Sequence, residues 1–160
     1  MGMTSNHSDV AILDANVLIY AHLKTDPRNS DCVRLIDLAC TAEQRFAVTP
    51  QILFEFYAFI TSQRNTDSPY SIPEAQQAID QLVQLAGLFV LTYPSDLVTR
   101  TQMLLDQKPV TDRAIFDLQI AATMLFTGIK KIYTYDRTGF TGIDGIEVVV
   151  PSSPSVSRAA

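Results

Sequence analysis

Four carboxylates, Asp14, Glu55, Asp117 and Asp136, stand where apolar segments of this 160-residue chain start, end or turn. Asp14 closes Val10-Ala11-Ile12-Leu13, and Asp136 follows Lys131-Ile132-Tyr133-Thr134-Tyr135. Glu55 lies within Ile52-Leu53-Phe54-Glu55-Phe56-Tyr57, and Asp117 interrupts Ile115-Phe116-Asp117-Leu118. A carboxylate withdrawn from water must be neutralised, paired or given a metal, and few basic side chains neighbour these four. Three or four carboxylates form an oxygen donor set suited to a hard divalent cation such as Mg²⁺ or Mn²⁺. Such a site keeps positions open for phosphate oxygens, and with two ions ~3.5–4 Å apart it supports in-line hydrolysis of a phosphodiester without a covalent intermediate. No activated nucleophile competes with this chemistry, because His7 and His22 are too few and too poorly placed for a triad. Each acid also has an ordinary role open to it. Asp14 can cap a helix, Asp117 can pair with Arg113 one turn earlier, and Asp136 can start a turn. Glu55 has no basic residue at helical spacing.

The elements that must hold these acids alternate between strand and helix. Val10 to Leu13 reads as a buried strand, and Asn16 to Ala21 as helical. Ser30 is expected to cap a helix to about Thr41. Phe46 to Val48 is a second strand, followed by Thr49-Pro50, a capping side chain with proline in the first helical turn. The helix after it carries Glu55 to about Gln63. Arg64 to Ser71 is a loop. Pro73 opens a helix that Gly87 is expected to close, and Leu88 to Tyr93 is a third strand. Ser95 caps a helix to about Gln107, where Lys108-Pro109 breaks it. Thr111 caps the helix that carries Asp117 and ends at Gly128. Lys131 to Tyr135 and Ile146 to Val150 are the last strands. This order predicts an α/β fold with a parallel sheet of about five strands flanked by helices, whose ligands bind beyond the carboxyl ends of the strands. All four acids can then meet at one edge of the sheet. Residues 1–9 and 152–160 are expected to be flexible ends around one domain, 10–151.

An apolar fraction of 47% against 18% charged marks a folded domain, not a disordered one. No apolar run reaches the ~20 residues of a membrane helix, and the polar start Met1 to Ser8 has no signal core, so the expected location is the cytoplasm. Asn6 stands where a myristoylation signal needs Ser or Thr. Cys32 and Cys40, eight residues apart on one predicted helix, lie too far apart for a disulfide and read as core or near-core side chains. The net charge of −5 cautions against a nucleic-acid partner, but setting the four acids aside leaves −1. Arg64, Arg113, Lys130, Lys131 and Arg137 can then form a local basic rim.

The motifs around the acids resemble those of PIN-domain ribonucleases, particularly the VapC-type toxins of toxin–antitoxin pairs. Ile12-Leu13-Asp14-Ala15-Asn16-Val17-Leu18-Ile19 is similar to the opening motif, and Thr49-Pro50-Gln51-Ile52-Leu53-Phe54-Glu55-Phe56-Tyr57 to the second. Phe116-Asp117-Leu118-Gln119-Ile120-Ala121-Ala122-Thr123, then Gly128, then Tyr133-Thr134-Tyr135-Asp136, resemble the third and fourth. The likeness spans roughly residues 10 to 151 in motif order. It implies a PIN-like three-layer fold and a Mg²⁺- or Mn²⁺-dependent endoribonuclease. It implies Asp14, Glu55, Asp117 and Asp136 as catalytic metal ligands, supported by Asn16 and Thr134. It also implies an RNA substrate, a homodimer and a cognate antitoxin. Candidate partner surfaces are the helix Asn16 to Ala21 and the helix Ile52 to Ile60, although most of those side chains fit a core equally well. Tyr135 departs from the pattern, standing where a basic residue is common. Asp112 is a fifth acid, ~500° around a helix from Asp117, and its place after Thr111 suits the helix dipole.

Two parallel α/β alternatives fit poorly. A phosphoacceptor receiver needs adjacent acids after the first strand and a lysine after the fifth, and neither is present. A dinucleotide-binding domain needs a glycine-rich turn where this chain has Asp14-Ala15-Asn16. The alternative of another class is a PIN-like module that binds RNA or protein with little or no nuclease activity.

Overall fold

Residues 9–153 are described in this computed structural model; 1–8 and 154–160, expected to be loose, lie outside the described residues. Five strands, β1 (Val10–Leu13), β2 (Arg45–Val48), β3 (Leu88–Val90), β4 (Lys131–Tyr133) and β5 (Glu147–Val149), pair entirely in parallel in the order β3-β2-β1-β4-β5. β1 is central, buried at all four positions, and so carries a continuous apolar run instead of an alternating one. The helices are α1 (Ala15–His22), α2 (Asn29–Cys40), α3 (Pro50–Ile60), α4 (Ile72–Val83), α5 (Leu97–Gln107) and α6 (Ile115–Thr127). The connections from β1 to β2 to β3 step outward in one direction, and the β3-to-β4 connection returns across the sheet. Right-handed crossovers therefore put α1–α4 on one face and α5–α6 on the other. The packing agrees, with α1 against α2 and α3, and α5 against α6. The strand order reverses between β1 and β4, and a crevice forms beyond the ends of those two strands.

Several expected boundaries shift for physical reasons. Thr49 does cap α3, its hydroxyl accepting from the Ile52 amide at 3.3 Å, and Gly128 ends α6 at a left-handed φ of 75°. Ser30 and Ser95 cap nothing. α2 starts at Asn29, whose amide donates to the Tyr20 and Ala21 carbonyls, and α5 starts at Leu97. α4 is capped by Ser71 and Glu74 in a reciprocal pair and ends before Gln84, so Gly87 does not close it. Gly87 is instead a backbone crossing point. A Cβ there would stand 2.8 Å from both the Ala39 and Gln44 carbonyl oxygens, so any side chain would have to push main chain aside. Cys32 is buried as expected, while Cys40 is exposed. The start of the expected flexible tail is tied to α2, through Arg34 donating to the Ser152 carbonyl and Ser153 bonding to Asp31.

Candidate metal centre

The crevice between β1 and β4 holds a tight polar knot. Asp14 follows the last residue of β1, and its amide donates to the Tyr133 carbonyl at 3.1 Å, extending the strand pairing to the acid itself. It is also the cap of α1, with Oδ1 accepting from the Ala15 amide at 2.7 Å. Oδ2 accepts from the Thr134 hydroxyl at 2.7 Å and from the Asn16 amide at 3.1 Å. Asn16 Nδ2 also donates to Thr134 Oγ1 at 3.0 Å, and its Oδ1 accepts from the Tyr135 amide at 3.2 Å. Thr134, wholly buried, accepts once more, from the Asp136 amide at 3.0 Å. One hydroxyl thus ties the ends of β1 and β4 together. It donates once and accepts twice, the full capacity of the group.

All four acids line a single cavity of about 730 Å³ at this crevice. Asn16 lines it too, as do Asn65, Lys108, Arg113, Thr138 and Gly139. Asp112 does not; it begins a short 3₁₀ turn, Asp112–Ala114, ahead of α6, and Thr111, expected to cap that helix, makes no side-chain capping bond. Asp14 and Asp117 respond to the shared space. The Asp14 carboxyl is pushed up from the ordinary value, first by burial and also by the charges of Glu55 and Asp136, against the bonds from Thr134 and Ala15. Asp117 is raised to about 6, first by burial, then by the charges of Asp14, Asp136 and Glu55, with Lys108 pulling the other way. The ion pair between Arg113 and Asp117 is not formed; the pairs among the described residues are Arg28–Asp26 and Arg100–Asp96.

The premise of charge burial holds for two of the four acids. Asp14 is buried and Asp117 half-buried, but Glu55 and Asp136 are exposed. At ~100° per residue, the buried positions of α3, Ile52, Leu53, Phe56 and Ile60, occupy an arc of about 100°, and Glu55 lies some 60° outside it. Glu55 faces the cavity with its Oε1 accepting from Gln51 Nε2 at 2.7 Å. The expected basic rim is also redrawn. Of its members only Arg113 lines the cavity; Lys131 borders another cleft beside Arg45 at the amino end of the sheet. The second cation, Lys108, reads in the sequence only as part of a helix break. Tyr135 turns its ring away from the cavity, edge-on to Tyr20 at 5.3 Å with the Arg28 guanidinium stacked over Tyr20.

The donor set fits a hard divalent cation. It is made only of oxygens, with four negative groups against two positive ones around one space, and two of the acids carry raised carboxyl pKa values that a nearby cation would relieve. Among the described residues no group of three or more Asp, Glu, His or Cys side chains stands placed to hold a metal ion. The carboxylates ring the cavity instead, which suits an ion that keeps several of its own waters.

The family model for the PIN domain matches residues 11–145. Among curated proteins, the chain is 23% identical over 129 residues to Ribonuclease VapC24 of Mycobacterium tuberculosis, covering 81% of this chain and 88% of that protein. Among solved structures it is similar to M. tuberculosis VapC20, a toxin that cleaves the Sarcin-Ricin loop. The TM-score there is 0.59 at 16% identity, over 81% of this chain and 92% of that one. It is similar also to a toxin–antitoxin complex from Klebsiella pneumoniae, with TM-score 0.59 and 18% identity over 90% and 99%. VapBC2 of Rickettsia felis, bound to a fragment of its promoter, gives TM-score 0.59 and 17% identity over 88% and 98%.

Proposed function

The chain belongs to the PIN domain family, and on that premise we propose that it is a divalent-metal-dependent endoribonuclease that hydrolyses RNA phosphodiester bonds in the cytoplasm, as the toxin of a toxin–antitoxin pair. The observation that carries the reading is the convergence of Asp14, Glu55, Asp117 and Asp136 on one cavity at the β1–β4 crevice. The curated relative's name, a ribonuclease, supports it, as do one structural neighbour that is a cleaving toxin and another that is a toxin–antitoxin complex.

In this reading the four carboxylates hold Mg²⁺ or Mn²⁺. The ion supplies Lewis acidity toward a phosphate oxygen and toward water. The protein's part is positional and electrostatic. Thr134 and Asn16 fix the Asp14 carboxylate from one side and Ala15 from the other. Gln51 holds one oxygen of Glu55, whose exposed side chain has room to swing toward the centre. Arg113, on the cavity wall, draws the RNA backbone toward an otherwise acidic centre.

The partners follow from the same premise. A cognate antitoxin is expected to cover the toxin and silence it. A second copy is the proposed occupant of the apolar surface on α3, α5 and α6, where two grooves meet at Gln119. Phe54, Val98 and Phe116 stand there 67%, 73% and 43% exposed. The other candidate side chains of α1 and α3 mostly belong to the core.

Chelation tests the metal and the activity together. Purified protein is expected to cut single-stranded or structured RNA in Mn²⁺ or Mg²⁺, to stop in EDTA, and to resume when excess divalent cation is restored. The same preparation should sediment as a dimer, and a monomer would remove the second copy from the proposal. Cleavage that persists in chelator sinks the metal-dependent reading. Saturable RNA binding without cleavage under any divalent ion would leave a binding module.

A further inference from the structure

The loop from Asp136 to Thr141 packs against Asp117 through a residue that has no side chain. Gly139 is buried, and its φ is outside the left-handed region that makes glycine necessary just after this loop, at Gly142 with φ +81°. Backbone conformation therefore does not demand glycine at 139. Contact does. A Cβ there would lie 2.6 Å from Asp117 Oδ2, 2.9 Å from its Cγ and 3.3 Å from its Cβ, and these are its three nearest neighbours. The atoms in the way are the free end of one half-buried acid, not main chain. A methyl group at 139 would displace that carboxyl and spare the fold.

The rest of the loop is anchored so that it cannot back away. Asp136 Oδ1 accepts from the Thr138 amide at 3.1 Å and its hydroxyl at 2.7 Å. The Phe140 and Thr141 amides both donate to the Arg137 carbonyl, and the Phe140 ring is buried in the core. Lys108 reaches over from the end of α5. Its ammonium donates to the Thr138 carbonyl and, at 2.8 Å, to the Thr141 carbonyl, gripping the main chain on both sides of Gly139. The grip ties α5, the Asp136 loop and the Asp117 helix into one unit.

We propose that Gly139 and Lys108 are positioning residues that set where Asp117 stands relative to Asp136, Gly139 by leaving room for the Asp117 carboxyl and Lys108 by clamping the loop that carries Asp136. The proposal rests on the reading of these acids as cation ligands. If it holds, cation affinity depends on one missing methyl group and one lysine clamp, neither of which need touch the ion.

Calorimetric titration of Mn²⁺ into the full chain, alongside melting curves and RNA kinetics, tests this. Gly139→Ala is expected to melt within a few degrees of wild type, to bind Mn²⁺ at least about tenfold more weakly, and to lose kcat with KM for RNA preserved. Lys108→Met should weaken Mn²⁺ in the same sense, and Lys108→Arg should restore part of it. Gly142→Ala is the control: at its positive φ it should lower the melting temperature and leave Mn²⁺ affinity alone. Wild-type Mn²⁺ affinity in Gly139→Ala overturns the proposal. Unchanged Mn²⁺ affinity with a raised KM in Lys108→Met would make that lysine a substrate contact instead of a clamp. Should Gly139→Ala fail to fold, Lys108→Met, which adds nothing to the loop, decides the matter. A wild type that binds no Mn²⁺ removes the metal reading and this inference with it.

Discussion

Replacing Asp14 with asparagine is expected to abolish RNA cleavage, by about 10³-fold or more in kcat/KM, while leaving the cation-free protein as stable as wild type or more so. The two halves have one cause. Asp14 is 7% exposed and wedged between Thr134, Asn16 and Ala15, so its charge is held where water cannot solvate it and the charges of Glu55 and Asp136 oppose it. Asparagine keeps the size and caps a helix as well as aspartate does. It removes the charge an ion would need. The pH dependence of melting gives a second readout. Burial first, and then the charges of Asp14, Asp136 and Glu55, raise the Asp117 carboxyl from 3.8 to about 6. A carboxyl with a higher pKa in the fold than in the unfolded chain takes up protons on folding. The stability this contributes is fully present below about pH 4 and is lost as pH rises through about 6. In EDTA the wild type should therefore melt at a higher temperature near pH 5 than near pH 7.5. Asp14→Asn should flatten that slope, because it deletes the largest of the charges acting on Asp117. Full cleavage by the variant, or a melting temperature that rises with pH in the wild type, would count against the site.

The parts of this fold that can be read directly from sequence are those in which neighbours in the chain also do the physical work. Thr49 and Pro50 announce α3 because a cap and a first-turn proline act within four residues. Val10 to Leu13 announces a central strand because burial on both faces leaves an unbroken apolar run. Asp14 and Asp136 are legible as ends of such strands, and the parallel sheet then brings them to one side. Ser30 and Ser95 show the limit. Both are sound local caps, but α2 begins at Asn29, whose side chain answers carbonyls left open at the end of α1, nine residues back in the chain. Gly87 looks like a helix stop and is in fact the place where three backbone segments meet.

Glu55 stands out in the sequence for a reason the structure does not bear out. Its apolar neighbours suggest burial, whereas the helical period places them on the core arc and Glu55 beyond its edge. Lys108 and Gly139 carry no local signal at all. A lysine before a proline and a glycine in a turn are ordinary. Their meaning appears only when the loop after Asp136 is laid against α5 and α6, 30 residues away for Lys108. The placement of such acids is written in long-range contacts, and a motif names the acids without naming what aims them.

Thr134 is where aim and stability can be separated, and Thr134→Val is expected to damage both. Valine has nearly the same shape, so the core stays filled, but the Asp14 carboxylate loses one of its two shortest donors, and the Asn16 amide and the Asp136 backbone N–H lose their shared acceptor. A buried polar group left unpaired costs about 1–3 kcal/mol. With Asn16 and solvent at the cavity making up part of the loss, a net cost of about 2 kcal/mol corresponds to a fall of roughly 4–8 °C in melting temperature. Cleavage by the folded variant should drop about 10–100-fold, the usual effect of losing a group that orients a metal ligand. Thr134→Ser is the decisive partner. It keeps the hydroxyl that joins the β1 and β4 ends and deletes only a buried methyl group, so it should melt within a few degrees of wild type and cut RNA at nearly the wild-type rate. Were serine as inactive as valine, the hydroxyl would not be what holds Asp14 in place. Were valine as active as wild type at a temperature where it is folded, the knot at the β1–β4 crevice would serve the fold alone.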